Sequence, residues 1–216
     1  MKNEPKQRCE IVGWERFYAL SRRLAQRIRG SGYRLDAIVA IGRGGYVPGR
    51  VLSDFLGQPR FAGLGIEHYR DIHREPQARV GYPLAMDIRG QRVLLVDDVT
   101  DSGDTFAVAL EHLRRQGAPA EIRTAVLFHK RNCPYVPDYC AGVLNAWRWI
   151  TYPWAVAEDV GSLVRAMRID PRDVDAVAAR LSSDYGIRLR REVLLDVLAT
   201  LDRSEAPTPP PLREPA

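Results

Sequence analysis

The chain has 216 residues, of which 45% are apolar and 27% are charged. These proportions are typical of a folded domain and exclude a wholly disordered or fibrous chain. No apolar run approaches the roughly 18 residues that a membrane-spanning helix needs, and the first ten residues lack the apolar segment of a secretory signal. The net charge of +5 fits a nucleic acid as well as an anionic small molecule, so composition does not choose between those partners.

The cysteine content indicates the redox compartment. Cys9, Cys133 and Cys140 are few in number and lack the spacing of a metal site. Sparse, odd-numbered cysteines are typical of proteins in a reducing environment. We therefore expect a cytoplasmic protein with free thiols and no membrane partner.

The first part of the chain alternates between predicted helices and predicted strands. Apolar residues at helical spacing predict a helix over 14–30, and the apolar run at 36–42 predicts a buried strand. A Gly-rich turn and a second helix follow within 42–57, and a short strand is expected within 58–66. The polar residues 67–83 show no periodicity and predict a long connection, and structureless loops of more than about 12–15 residues are usually lids or disordered segments.

The clearest buried strand is predicted at 91–99, and a helix that ends at Gly117 follows it. Further strands are expected at 121–130 and 149–152. Because strand, turn and helix alternate in this way, the sequence predicts an α/β fold with a parallel sheet flanked by helices. From about residue 157 onward the sequence shows no strand pattern.

The pattern changes after about residue 156. Residues 157–203 predict two or three helices, which form a helical C-terminal extension to a main domain over 1–156. The Pro-rich tail 204–216 has no apolar pattern that could build a core, and it is expected to be disordered. The sequence therefore predicts one α/β domain, a helical extension and a short tail.

The loop at 97–105 has the composition of a ligand site. In an open parallel sheet, ligands bind beyond the carboxyl ends of the strands. Here two adjacent acids end a strand, a third acid follows, and Ser, Gly and Thr begin a helix whose N–H groups can bind a phosphate. Carboxylates beside a phosphate site suit sugar hydroxyls or a divalent cation. The loop predicts a sugar phosphate ligand, and the alternative is a set of helix caps at a solvated strand end.

The loop at 42–45 follows another buried strand and has the sequence Gly-Arg-Gly-Gly. Glycines allow a close approach of backbone amides to a ligand, and an arginine can bind a second phosphate through two hydrogen bonds. A plain tight turn is the alternative interpretation. This loop occupies the equivalent position after the other buried strand, and that favours the phosphate interpretation.

Three segments of this sequence resemble type I phosphoribosyltransferases. VLLVDDVTDSGDT resembles the family's signature for 5-phosphoribosyl-1-pyrophosphate (PRPP), with Thr100 standing where the signature usually has an aliphatic residue. IVAIGRGGYVPGRVLSDFLG resembles the pyrophosphate loop of the 6-oxopurine branch, especially of its xanthine-guanine and archaeal-type enzymes. KRNCPYVPDYC and the later WITYPW resemble the purine-binding segment of that branch. The resemblance covers roughly residues 12–155.

The resemblance implies a fold and a set of roles. The fold would be the type I phosphoribosyltransferase fold with a small hood. Asp97 and Asp98 would bind the ribose hydroxyls and Mg²⁺, Asp101 would be the general acid/base near purine N7, and Tyr69 in the lid segment would cover the transition state. The implied PRPP-binding residues are Arg43, Gly44, Gly45, Asp97, Asp98, Val99, Thr100, Asp101, Ser102, Gly103, Asp104 and Thr105.

Base recognition is assigned to Lys130, Trp149 and Ile150. Lys130 ends a predicted strand, and its ammonium group would donate to the O6 acceptor of a 6-oxopurine and oppose the 6-amino group of adenine. Trp149 offers a stacking face, and the Ile150 backbone can read the base edge. The alternatives are a solvated lysine and a tryptophan in core packing. The histidines show no partner pattern and are expected to have no chemical role.

The predicted activity is transfer of the 5-phosphoribosyl group from PRPP to guanine, xanthine or hypoxanthine, giving a nucleoside monophosphate and pyrophosphate in purine salvage. The resemblance implies a homodimer or homotetramer. One alternative is a phosphoribosyltransferase for uracil, orotate or adenine. Another is a PRPP-sensing regulator that binds nucleic acid through basic residues of the helical extension, although a solvated helix face explains those residues more simply. The relevant arginines are Arg165, Arg168, Arg172, Arg180, Arg188, Arg190 and Arg191.

Overall fold

The structure is a computed structural model that describes residues 9–69 and 77–203. It contains two compact units, of which one consists of residues 15–147 and the other joins the described residues before 15 to those after 147. In chain order the elements are β1 (Cys9–Ile11), α1 (Trp14–Gly30), β2 (Ala37–Gly42), α2 (Tyr46–Leu56), β3 (Phe61–Tyr69), β4 (Gln77–Tyr82), β5 (Arg92–Thr100), α3 (Asp104–Gly117), β6 (Glu121–Lys130), β7 (Tyr139–Leu144), β8 (Trp149–Thr151), α4 (Val156–Met167), α5 (Val174–Tyr185) and α6 (Arg191–Arg203).

The larger unit is built on a six-stranded sheet in the order β4-β3-β2-β5-β6-β7. All neighbouring strands are parallel except β4, which pairs antiparallel with β3. The predicted parallel sheet with flanking helices is confirmed. Strand β5 lies near the middle of the sheet, and its apolar residues from Val93 to Val96 are completely buried because helices cover parallel sheets on both faces.

Helix α3 packs through the apolar face that its sequence predicts. Phe106, Ala109 and Leu113 recur at helical spacing and belong to the same apolar cluster as Val39 and Leu95 of the sheet. This packing fixes the start of α3 directly after the carboxyl end of β5. The loop between them, at residues 101–103, is therefore held between two buried elements.

The prediction of a structureless connection over 67–83 was wrong at both of its ends. Strand β3 continues to Tyr69, and 77–82 form the edge strand β4. Ala78 and Val80 alternate with polar or small residues and pack against the core, so a short alternation does exist there. Backbone pairing to β3 stabilises the strand despite its polar composition. Residues 70–76, where the predicted lid continues, and the side chain of Tyr69 lie outside the described part of the chain.

The smaller unit contains the parallel pair β1–β8 and the helices α4, α5 and α6. Two or three C-terminal helices were predicted and three are observed, and they bury Val160, Val164, Leu181 and Leu198 against one another. The strand β1 was not predicted because three residues are too short for a periodic pattern. The structure thus groups β8 with the helices, while the predicted domain boundary after residue 156 stays a prediction. The predicted tail 204–216 lies outside the described residues.

Among the described helices, none combines the length and apolar character that crossing a membrane requires.

Candidate active site

The two loops predicted to bind phosphates lie side by side. Strands β2 and β5 are parallel neighbours, so their carboxyl ends meet at the same edge of the sheet. A Cβ atom placed on Gly44 would lie 2.6 Å from Oδ2 of Asp98. The backbone of the Gly-Arg-Gly-Gly loop therefore contacts the acidic end of β5, and the exposed Arg43 lies in the same loop. The absence of a side chain on Gly44 leaves room for the Asp98 carboxylate in this position.

Asp97 and Asp98 form an adjacent acidic pair near the end of β5. Asp97 is only 9% exposed, and its carboxylate accepts the Asp98 backbone N–H at 2.9 Å. Burial, and secondly the negative charge of Asp98, raise the pKa of the Asp97 carboxyl group well above its ordinary value. A buried acid beside a second acid is stabilised when hydroxyl donors or a cation approach it.

The acidic pair fits a metal ion that arrives with a substrate. Within residues 9–69 and 77–203, no group of three His, Cys, Asp or Glu side chains is placed to hold a metal ion. In proteins Mg²⁺ is commonly bound by one or two carboxylates together with water and substrate phosphates. Asp97 and Asp98 supply that number of carboxylates, so these residues fit Mg²⁺ carried by a phosphorylated ligand.

The turn after β5 has the geometry of a phosphate site. Gly103 adopts φ 94° directly before α3, and a Cβ atom there would lie 2.6 Å from Cβ of Tyr135. Both observations require glycine at this position. The Oγ atom of Ser102 accepts the backbone N–H of Asp104 at 3.4 Å, which places a hydroxyl group at the start of the helix. Helix N-termini favour bound anions because their first N–H groups lack partners within the helix.

Asp101, Lys130 and Trp147 meet at one end of the sheet. Nζ of Lys130 lies 2.5 Å from Oδ2 of Asp101, and the indole Nε1 of Trp147 donates to Oδ1 of Asp101 at 3.0 Å. The same ammonium group lies 4.2 Å from the centroid of the Trp147 ring. The Lys130 side chain is 5% exposed and that of Asp101 is 43% exposed. Lys130 is therefore not the solvated strand-end lysine of the alternative interpretation.

A cavity of about 160 Å³ opens beside this group. Its lining combines an ammonium group, a carboxylate, amides and an aromatic ring, which suits a flat polar heterocycle. The lining residues are Asp101, Lys130, Arg131, Asn132, Cys133, Leu144, Asn145 and Trp147. Burial is the main cause that raises the pKa of the Cys133 thiol, so this cysteine stays protonated near neutral pH, as expected of an unreactive thiol.

Trp147 was missed by the sequence interpretation, which assigned base stacking to Trp149. The two residues are separated only by Arg148, and a single sequence does not distinguish which ring contacts Lys130. Trp149 and Ile150 belong to β8 in the smaller unit, where Trp149 is 46% exposed and Ile150 is 8% exposed. Their roles in base recognition stay predictions.

The structure corrects one further expectation from the sequence and adds a contact. Thr100 was expected in a loop, but it is the last residue of β5 and is 1% exposed. His129 showed no partner pattern in the sequence, and the structure gives it one, because its Nδ1 lies 2.8 Å from Oγ1 of Thr100. Burial, followed by the charge of Arg131, lowers the pKa of His129 and favours the neutral ring. A polar pair thus joins the last residue of β5 to β6.

Part of the segment that resembles a purine-binding motif is structural. Asp138 accepts both the backbone N–H and the hydroxyl group of Thr124, each at 2.8 Å. The Tyr139 hydroxyl accepts a hydrogen bond from Arg123 at 2.8 Å. These contacts join the start of β7 to β6. They hold the loop after Lys130 in place beside the cavity.

Comparison with known proteins identifies the family. The model of the phosphoribosyl transferase domain matches residues 8–159, which is more than half of the chain. The chain belongs to this family and is an enzyme. Phosphoribosyltransferases use PRPP and a base as substrates. The matched range includes the loops 42–45 and 97–105 and all three candidate base-binding residues.

Solved structures agree with this assignment. The phosphoribosyltransferase chain is similar to a purine phosphoribosyltransferase from Pyrococcus horikoshii, with 29% identity, a TM-score of 0.60, and coverage of 68% of this chain and 93% of that one. It is also similar to a hypothetical protein from Neisseria gonorrhoeae with bound ppGpp, with 26% identity, a TM-score of 0.60, and coverage of 75% and 98%. A xanthine-guanine-hypoxanthine phosphoribosyltransferase from Helicobacter pylori, at 24% identity, a TM-score of 0.59, and coverage of 73% and 99%, shares the fold.

Proposed function

We propose that this phosphoribosyltransferase joins a 6-oxopurine (guanine, xanthine or hypoxanthine) to PRPP, giving a nucleoside monophosphate and pyrophosphate in cytoplasmic purine salvage. The observation that carries the proposal is the buried Lys130 ammonium beside Asp101 in a cavity of heterocycle size. An ammonium group donates hydrogen bonds only, so it matches a purine with a carbonyl oxygen at C6. It opposes adenine, whose exocyclic amino group is itself a donor.

PRPP would lie along the loops at the carboxyl ends of β2 and β5. The amides and hydroxyl groups of residues 102–105 would hold its 5′-phosphate, and Asp97 with Asp98 would hold the ribose hydroxyls. Arg43 and the amides of Gly44 and Gly45 would hold the pyrophosphate group. The contact between Gly44 and Asp98 supports this arrangement, because it brings the pyrophosphate loop next to the ribose-binding acids.

Mg²⁺ bound at Asp97 and Asp98 would neutralise charge on the leaving pyrophosphate. The protein itself must stabilise the oxocarbenium-like ribose and exclude water, since water would otherwise hydrolyse PRPP. Asp101 suits stabilisation of the oxocarbenium-like ribose, because a carboxylate that directly follows β5 would offset the positive charge on the sugar. It also lies where it could accept or return a proton at purine N7. The segment with Tyr69 would close the site as a lid, and the enzyme would work as a homodimer or homotetramer.

The proposal is tested by measuring pyrophosphate release. The purified protein is mixed with PRPP and Mg²⁺ and with hypoxanthine, guanine, xanthine, adenine or uracil in separate reactions, with a chelator as the metal-free control. We expect release with at least one 6-oxopurine and none with adenine or uracil. Turnover of adenine or uracil alone would overturn the assignment of the base while leaving the enzyme class intact.

Replacing Lys130 by alanine is expected to raise the KM for the purine about 10- to 100-fold, as expected for the loss of a hydrogen bond from a charged donor. The KM for PRPP should stay within about threefold, because Lys130 lies on β6 and not on the phosphate loops. Steady-state kinetics with each substrate varied in turn makes the measurement. Arg50→Ala on α2, where Arg50 is paired with the exposed Asp54, is the control for loss of a cationic side chain. Equal increases in both KM values would contradict a role in base recognition.

The structure gives little support to the regulator that binds nucleic acid. Of the seven arginines that suggested it, three are paired with carboxylates of the same helical unit. Arg180 pairs with Asp184 at 2.8 Å, Arg190 with Glu192 at 2.5 Å, and Arg191 with Asp175 at 2.5 Å. Their charge is offset locally, which favours a solvated helix surface over a face that binds a polyanion.

A further inference from the structure

The buried pair Thr100–His129 adjoins the candidate base site. The resemblance includes Thr100 among the PRPP-binding residues, but its side chain is bonded to His129 and takes no part in the contacts proposed above for PRPP. Thr100 is 1% exposed and His129 is 8% exposed. Their side chains are joined by a hydrogen bond of 2.8 Å between Oγ1 and Nδ1. The two residues lie opposite each other in the register of β5 and β6. Their hydrogen bond therefore ties these two strands together at the last paired position of β5.

The next residue in each strand belongs to the candidate base site. Asp101 follows Thr100 and Lys130 follows His129, and their carboxylate and ammonium groups meet at 2.5 Å. Asp101 has already left the strand, so the position of its carboxylate depends on where β5 ends. A tie between the strands one residue earlier limits how far Asp101 and Lys130 can move apart.

We propose that the Thr100–His129 hydrogen bond is a positioning contact that fixes Asp101 and Lys130 relative to each other for reaction with the base. This inference rests on the proposed function, because it assigns those two residues to the base. Both partners of the contact are positioning residues, since neither lines the cavity. A displacement of about 1 Å in a reacting group can lower a rate about 100-fold.

An aliphatic residue, as the PRPP signature usually has at this position, could not accept or donate this hydrogen bond. It would leave Nδ1 of His129 buried without its partner, which is unfavourable in a dry environment. The low exposure of both side chains and the lowered pKa of His129 are consistent with a neutral ring that serves structure and not charge. The polar pair is thus a feature of this chain that the resemblance does not supply.

The test compares Thr100→Val, which removes the hydroxyl group at nearly constant volume, with Thr100→Ser, which keeps it. Ser21→Ala is the control for loss of a buried hydroxyl group, because Ser21 is 0% exposed on α1 and donates to the Phe17 carbonyl at 3.0 Å. We expect Thr100→Val to lower kcat about 10-fold, Thr100→Ser to recover most of the activity that Thr100→Val loses, and Ser21→Ala to stay within about twofold of the wild type. Equal kcat values for Thr100→Val and Ser21→Ala would overturn the proposal.

A second readout does not require turnover. The indole N–H of Trp147 donates to Asp101, so its ¹H–¹⁵N resonance reports the position of that carboxylate. The resonance is assigned by its loss in Trp147→Phe. It should shift in Thr100→Val and stay unchanged in Thr100→Ser and Ser21→Ala, and an unshifted resonance in Thr100→Val would contradict the proposal even if kcat falls.

If Thr100→Val does not fold, two variants of the partner residue make the same comparison. His129→Asn keeps a polar atom close to the position of Nδ1 and should behave like the wild type, whereas His129→Leu removes it and should shift the Trp147 resonance. Identical spectra for the two would overturn the proposal. A shifted Trp147 resonance in a protein that turns over no 6-oxopurine would support the positioning contact and refute the proposed base. Failure of the positioning contact is therefore distinguishable from failure of the proposed function.

Discussion

Replacing Asp101 by asparagine is expected to lower kcat by about 10²- to 10⁴-fold, the usual contribution of a positioned proton acceptor or donor. The dissociation constant of PRPP should change by less than about threefold, because the variant leaves intact the amides of residues 102–105 and the acids Asp97 and Asp98, which are proposed to hold the 5′-phosphate and the ribose. Asparagine keeps the size and planarity of the side chain but neither carries negative charge nor takes up a proton. Rapid-quench kinetics and isothermal titration with PRPP measure the two quantities separately.

The structure adds an effect on stability to this prediction. Asp101 is the counter-ion of Lys130, whose side chain is 5% exposed, so the asparagine variant leaves a buried ammonium group without its carboxylate. We expect a lower unfolding midpoint, with a loss smaller than the about 3–5 kcal/mol of fully buried pairs because Asp101 is partly exposed. Kinetics are therefore measured well below the midpoint of the variant.

Asp54→Asn serves as the matched control. Asp54 lies on α2, and its side chain is 70% exposed in an ion pair with Arg50. It should leave kcat and the affinity for PRPP within about twofold of the wild type, since exposed pairs contribute little. Parallel losses of kcat and of PRPP affinity in Asp101→Asn would argue against a role in proton transfer and for a role in holding PRPP.

Much of the sheet could be predicted from the sequence because its central strands are buried on both faces. The run from Val93 to Val96 is apolar without interruption, and helix α3 follows with Phe106 and Leu113 at helical spacing. At these positions the spacing of apolar residues in the sequence matches their burial in the fold, and a single sequence predicts structure best where the two match. The edge strand β4 was missed because half of its residues face solvent and its pairing is made by the backbone.

The candidate phosphate loops could be located because the residues of each loop are adjacent in sequence. The acids at 97 and 98 and the turn at 101–103 need only one strand and one helix to be placed, and the pattern specifies both. The Gly44–Asp98 approach was not predicted, because it depends on the pairing of β2 with β5, which no local pattern specifies.

The candidate base site was less predictable because its contacts join distant segments. Trp147 reaches Asp101 across 46 positions of sequence, and Thr100 meets His129 across 29. Nothing in the local pattern around any of these residues specifies its partner. Such pairs depend on strand register and on the path of the loop after β6, which follow from packing of the whole sheet.

Gly45→Ala is expected to be among the most damaging single-methyl additions in the larger unit. A Cβ atom on Gly45 would lie 2.4 Å from the Val96 carbonyl oxygen and 2.7 Å from that of Ile41. Both obstacles are backbone atoms of buried strands, which cannot move aside without disturbing the sheet. The backbone at Gly45, with φ −72° and ψ −14°, suits alanine, so the penalty is purely steric.

In Gly45→Ala we expect the free energy of unfolding to fall by about 1–3 kcal/mol. The KM for PRPP should rise, because the displaced loop carries Arg43 and Gly44. Gly30→Ala is the matched control, since it also lies at a helix end but meets nothing within 4 Å. Alanine there should leave stability unchanged or raise it by up to about 1 kcal/mol. Denaturant titration of the two variants, followed by PRPP kinetics, makes the comparison. Equal stability would show that the loop moves freely over the end of β5, and the proposed pyrophosphate site would then lack the rigid backbone on which it depends.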